Sequence, residues 1–198
     1  MQNNNDNVGD YSIYLSEIEK LYILPSDNLF SQSKQNLTDA LIYDWRDLNT
    51  YASGYKDAAD LIVNSIESGY YQDFPDILAY PVLFLYRHYL ELLLKSIIFQ
   101  EKTRYEKSHK LDILWHSCYE LISHKSLNDN TRDQLLNVDK IIKELNKHDS
   151  DSMAFRYTED KKGNRHLNNI PYINLIKIRD VINKVSFFLE SYRDMISE

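Results

Sequence analysis

The segment from Asp76 to about Gln100 constrains this chain more than any other. It is the most apolar stretch, running Ile-Leu-Ala-Tyr-Pro-Val-Leu-Phe-Leu-Tyr and then Arg87-His88-Tyr-Leu-Glu91-Leu-Leu-Leu-Lys95-Ser-Ile-Ile-Phe. A helix apolar on nearly all sides has to be surrounded by other elements, so this segment predicts a central, buried helix. At about 100° per residue from Arg87, Glu91 falls near 40°, Lys95 near 80° and His88 near 100°. All four ionisable groups therefore share one arc. Two readings fit: the arc is an exposed face with Glu91–Lys95 as an ordinary i,i+4 pair, or it lines an internal cleft or subunit interface, where charges are costly unless paired or used.

The rest of the chain supplies helices to pack around that segment. Only 4 glycines and 4 prolines punctuate 198 residues, too few for an all-β chain with its frequent turns. Residues 1–10 are polar and Asn-rich and read as a disordered tail, followed by a single helical domain over 11–198. Apolar residues at helical spacing suggest a short helix over 11–22, a long one over about 36–67, the central one, then one carrying Leu111, Leu114, Trp115 and Cys118. Leu135, Val138, Ile141, Ile142 and Leu145 mark the next helix, ending near His148. A polar loop over 149–169 leads to a last helix opened by Pro171. Pro81 either kinks the central helix or marks its start. The expected fold is all-α, an up-and-down bundle of four long helices plus a short N-terminal one.

Composition narrows the function classes. The net charge of −7 argues against a general binder of double-stranded DNA. No uninterrupted apolar run reaches membrane-spanning length, and the N-terminus lacks a basic and apolar leader, so neither a membrane span nor a signal peptide is expected. The lone Cys118 rules out a disulfide framework or a cysteine zinc cluster, and no metal-ligand spacing or phosphate-binding glycine loop occurs. The expectation is a cytoplasmic protein without cofactor or metal. Its charge is uneven, however. Residues 102–110 carry Lys102, Arg104, Lys107 and Lys110 against Glu106, and residues 156–166 carry Arg156, Lys161, Lys162 and Arg165 against Glu159 and Asp160. If neighbouring helices alternate in direction, both loops lie at one end and form a basic mouth for a phosphate-bearing partner. Cations favoured beyond helix C-termini explain the same residues without a ligand. Asp149 and Asp151, beside His148, read as helix caps or as groups that orient Arg156.

The run Leu85-Tyr86-Arg87-His88-Tyr89-Leu90-Glu91-Leu92-Leu93-Leu94-Lys95, then His109-Lys110-Leu111-Asp112-Ile113-Leu114-Trp115, then Ser152-Met153-Ala154-Phe155-Arg156-Tyr157, resembles the HEPN superfamily of small helical nucleotide- and RNA-associated domains. The resemblance covers about residues 40–196 and rests on the order of these pieces: a Glu-x-x-x-Lys helix, a His-x-Leu helix start and an Arg-Tyr pair before the last helix. It implies a helical bundle, commonly a homodimer, in toxin–antitoxin, phage-defence or RNA-processing settings, where a protein partner from the same operon is common. Active members are metal-independent endoribonucleases with an Arg-x4-6-His motif, whose spacing Arg104-Tyr-Glu-Lys-Ser-His109 matches. Here the motif precedes the third long helix instead of opening the last one. By this resemblance His109 transfers a proton, with Arg104, Arg87 and Glu91 as further catalytic residues. Lys95, Arg156, His88, Lys110 and Tyr157 would hold the RNA or nucleotide. The alternative is a non-catalytic interaction module that dimerises through the charged arc of the central helix.

Overall fold

The computed structural model describes residues 48–70, 75–104, 106–125 and 128–196, with Ile23, Pro25, Asp27 and Leu29. The chain divides into two compact units, Met1–Tyr43 and Asp44–Glu198. Every helix among the described residues belongs to the second unit. The expected tail over 1–10, the short helix over 11–22 and the stretch 36–47 of the following helix lie outside the described residues.

Among the described residues there are five helices: α1 (Leu48–Glu67), α2 (Pro75–Lys102), α3 (Leu111–Ser123), α4 (Asp129–His148) and α5 (Leu175–Met195). The protein is an all-α helical bundle, and among the described residues the sole β pairing is an isolated bridge between Glu159 and Arg165. Helix α2 starts at Pro75, where a missing N–H costs nothing. Pro81 lies inside it, six residues further on, and leaves the Ile77 carbonyl without its i+4 amide. Helix α4 begins six residues before its first apolar position, because the Asn128 side chain accepts a hydrogen bond from the Thr131 amide at 2.8 Å. The last helix begins at Leu175, not at Pro171 as its sequence suggests. The Asn174 side chain caps it by accepting from the Lys177 amide at 2.9 Å.

Helix α2 is the core. Val82, Tyr86, Tyr89, Leu90, Leu93, Leu94, Ile97 and Ile98 are all buried, against Ala59 and Val63 of α1, Leu114 and Cys118 of α3, and Val185 and Leu189 of α5. Its length and composition alone would let it cross a membrane, but 56% of its most apolar window is buried inside the chain, which fits the central helix of a bundle. Burial also pushes the Cys118 thiol far up and leaves it inert.

Cross-helix contacts fix the directions. On α1 and α2, Tyr86 donates to Asp60 at 2.6 Å while His88 meets Tyr55, so the pairing retreats along one helix as it advances along the other. These two are antiparallel. Between α2 and α3 the pairs advance together: Arg87 with His109, Leu94 with Cys118, Glu101 with Lys125. Helix α3 therefore runs in the same direction as α2, and the link over 103–110 is a crossover returning along α2. Helix α5 is also parallel to α2, through Tyr89–Glu190 and Tyr192–Glu101, and antiparallel to α1, through Arg179–Asn64 and Arg193–Asn49. The crossover splits the basic residues of this link. Lys102 and Arg104 stay at the C-terminal end of α2, whereas His109 and Lys110 reach the level of Arg87.

Leu93→Ala, which opens a void in the fully buried centre of α2, is expected to cost about 2–5 kcal/mol. Leu61→Ala, on an exposed face of α1, is expected to change stability by less than about 0.5 kcal/mol. Urea unfolding of both variants checks the assignment of α2 as the core; equal losses would contradict it.

Candidate functional site

Arg87, Glu91 and Lys95 lie one turn apart along α2, and the helix is enclosed, so all three are taken out of water. Their exposures are 0%, 1% and 9%. Buried charges at this spacing cost several kcal/mol each unless they neutralise one another, and here they do. Glu91 sits between the two cations: Arg87 Nη1 donates to its Oε2 at 2.6 Å and Lys95 Nζ to its Oε1 at 2.8 Å. The charged arc is thus an internal network and not a solvent face.

The crossover brings His109 onto this network and holds it at two points. Arg87 Nη2 donates to the His109 backbone carbonyl at 2.6 Å, and His109 Nδ1 lies 2.8 Å from Glu91 Oε1. Burial pushes the Glu91 carboxyl up, but hydrogen bonds from Lys95, Arg87 and His109 outweigh it and leave it below its ordinary value. Glu91 is therefore ionised near neutrality and can only accept, which places the ring proton of neutral His109 on Nδ1 and leaves Nε2 with a free lone pair. The side chain is 74% exposed although its anchor is buried. An imidazole oriented by a buried carboxylate, with its second nitrogen toward solvent, has the form of a general base.

A fifth group, Asp149, completes the network, a role beyond the cap or Arg156 partner that its sequence position suggests. It occupies the C-cap position of α4, where its amide donates to Leu145. Its side chain is buried and turned to Arg87, whose Nε lies 3.1 Å from Oδ2. The Arg87 N–H is not aimed at that oxygen, so the contact is an ion pair without a hydrogen bond. The other oxygen, Oδ1, accepts from the amides of Met153 and Ala154 at 2.7 and 2.8 Å. Asp149 thereby ties the loop after α4 to the centre of α2. Two buried cations face two buried anions, and nothing local in the sequence pairs residues so far apart.

The remaining expected site residues are placed differently. Arg104 is exposed beyond the end of α2 and makes no ion pair or hydrogen bond with the network. Lys110 is exposed beside His109, directly ahead of α3. His88 shares the arc by angle but packs into aromatic rings, edge-on to Tyr55 at 4.4 Å and stacked on Phe84 at 5.8 Å. Burial lowers its imidazole below its ordinary value against the pull of Glu91, with Arg87, Lys95 and His109 acting in the same direction as burial. Arg156 and Tyr157 lie on the loop tied by Asp149, with the Arg156 guanidinium 5.7 Å from the Phe84 ring. Among the described residues, no group of three or more His, Cys, Asp or Glu side chains could hold a metal ion. No family model, curated protein or solved structure matches the chain.

Two outcomes follow from this geometry. Arg87→Met leaves Asp149 a buried anion without its cation and Glu91 with Lys95 and His109 alone, and is expected to lower unfolding stability by about 3–5 kcal/mol. Removing Arg132, whose pair with Asp129 is exposed, is expected to cause no measurable loss. For His88, a folded value below the ordinary 6.5 means the unfolded chain takes up the proton first. Its contribution to stability is thus intact above pH 6.5 and falls as the solution is acidified below it. In urea unfolding at stepped pH, the wild type should lose stability relative to His88→Phe between about pH 6.5 and 5. A difference that stays flat over that range would contradict the neutral, aromatic setting of His88.

Proposed function

We propose that this chain is a cytoplasmic RNA-directed domain of HEPN type, acting as an endoribonuclease in which His109 moves the proton. The observation that carries the reading is the held, exposed imidazole: His109 Nδ1 at 2.8 Å from a buried Glu91 carboxylate, with the rest of the ring facing outward. In the proposed reaction Nε2 accepts the proton of an RNA 2′-hydroxyl as that oxygen attacks the adjacent phosphorus. The bond from phosphorus to the 5′-oxygen breaks, giving a 2′,3′-cyclic phosphate and a 5′-hydroxyl, and the imidazolium returns the proton to the leaving oxygen. Lys110 offers a cation beside the attacked phosphate. Arg87 is fully enclosed and is a positioning residue here, acting through the His109 carbonyl. Glu91 positions the ring in the same way.

The homodimer, the defence or toxin–antitoxin setting and the operon partner implied by the resemblance belong to this proposal. Non-catalytic dimerisation through the arc of α2 is less well supported, because Glu91 and Lys95 are buried and paired within one chain.

In EDTA, the wild type is expected to cleave RNA to cyclic-phosphate ends, and His109→Ala to cleave about 10²–10⁴-fold more slowly. Wild-type protein that cuts no RNA and binds neither RNA nor nucleotide at low salt would end this reading.

A further inference from the structure

We propose that Phe84, Arg156 and Tyr157 form a subsite for one unpaired nucleotide, with Arg156 taking a phosphate and the outer face of Tyr157 taking the base. The proposal rests on the reading that the domain acts on RNA, and it names single-stranded RNA as the form of substrate recognised.

A chain of pairwise contacts between aromatic rings and a guanidinium leads from half-buried His88 to exposed Tyr157. Tyr55 meets His88 edge-on, His88 stacks on Phe84 with their planes 7° apart, and the Arg156 guanidinium lies over Phe84. Beyond it comes Tyr157, whose ring centroid is 6.0 Å from the same guanidinium. Tyr157 is 54% exposed, so this chain of contacts ends on an aromatic side chain within reach of solvent. A nucleobase can extend such a series of contacts, and stacking of this kind selects bases that are not already paired.

Arg156 is held in place but not neutralised. Its Nε donates to the Ser152 carbonyl at 2.6 Å and one Nη2 proton points to Met153 Sδ at 3.1 Å. A guanidinium has five N–H donors, so three are left over. The side chain has no carboxylate partner among the described residues, whereas Arg179 is paired with Glu67 and Asp180, and Arg193 with Asp194. An exposed, oriented fork of unused donors suits a phosphate oxygen pair. Asp149 sets the position of this loop, and Phe84 lies about 10 Å along α2 from Glu91. A few nucleotides of extended strand span that distance to His109.

The test is binding of a fluorescent 2′-O-methyl oligoadenylate, which cannot undergo attack by its own 2′-oxygen, measured single-stranded and annealed to its complement. Tyr157→Leu should weaken single-strand binding about 5- to 100-fold. Tyr157→Phe should bind as the wild type does, and the duplex more weakly than the strand. Arg156→Gln should reduce the slope of log affinity against log salt by about one. Because Tyr157 is exposed, circular dichroism should show all variants folded. Equal binding by Tyr157→Leu and wild type, or by strand and duplex, would overturn the subsite while leaving an RNA-acting domain. No binding of either form by the wild type would overturn both.

Discussion

The Glu91 carboxylate, enclosed on α2 and shared by Arg87, Lys95 and His109, is the interaction on which the rest of this structure depends. An anion in that position is tolerated only because two cations on the same helix reach it at i−4 and i+4. Asp149 then balances the second cation from another helix. The result is a neutral cluster that joins α2, the link over 103–110 and the loop after α4, beside the apolar cluster in which Leu83 of α2 packs with Ala154 and Phe155 of that loop. It also produces an asymmetry: four groups are hidden, and a single imidazole emerges.

That emergence follows from helix direction. Had α3 run antiparallel to α2, the link between them would have stayed at the C-terminal end of α2, with His109 beside Lys102 and Arg104. The parallel course makes the link travel back along α2, and Arg87 captures it by the His109 carbonyl. Cys118 donating to the Leu94 carbonyl and Lys125 meeting Glu101 keep the same register further along. The hydrophobic burial of α2 between α1, α3 and α5 and the capture of His109 are therefore one arrangement, in which packing decides where the chemistry stands.

Much of this is legible in the sequence where the signal is local. The helical period of α2 puts Arg87, Glu91 and Lys95 on one arc, but it leaves open whether that arc faces solvent or the interior, and burial in the fold decides for the interior. The bundle itself follows from the apolar stripes and the scarcity of glycine and proline. Asp149 is not legible in its role, because the Arg87 contact joins residues on different helices and no period relates them. Angle groups His88 with the charges, but angle alone does not reveal that Tyr55 and Phe84 claim the ring. Pro171 has the form of a helix start, yet the Asn174 cap, three residues later, is the group that satisfies the first free amides. The direction of α3 depends on tertiary packing, and so the expected basic mouth divides between two levels of the bundle.

The central claim is that Glu91 holds His109 in one tautomer with Nε2 free. Nitrogen-15 spectra of histidine-labelled protein, read for the neutral form of the ring, test it directly. The account predicts a His109 ring with the proton on Nδ1, a lone pair on Nε2, and loss of that preference in Glu91→Gln. A ring protonated mainly on Nε2, or one averaging freely between both nitrogens and unchanged by Glu91→Gln, would contradict it.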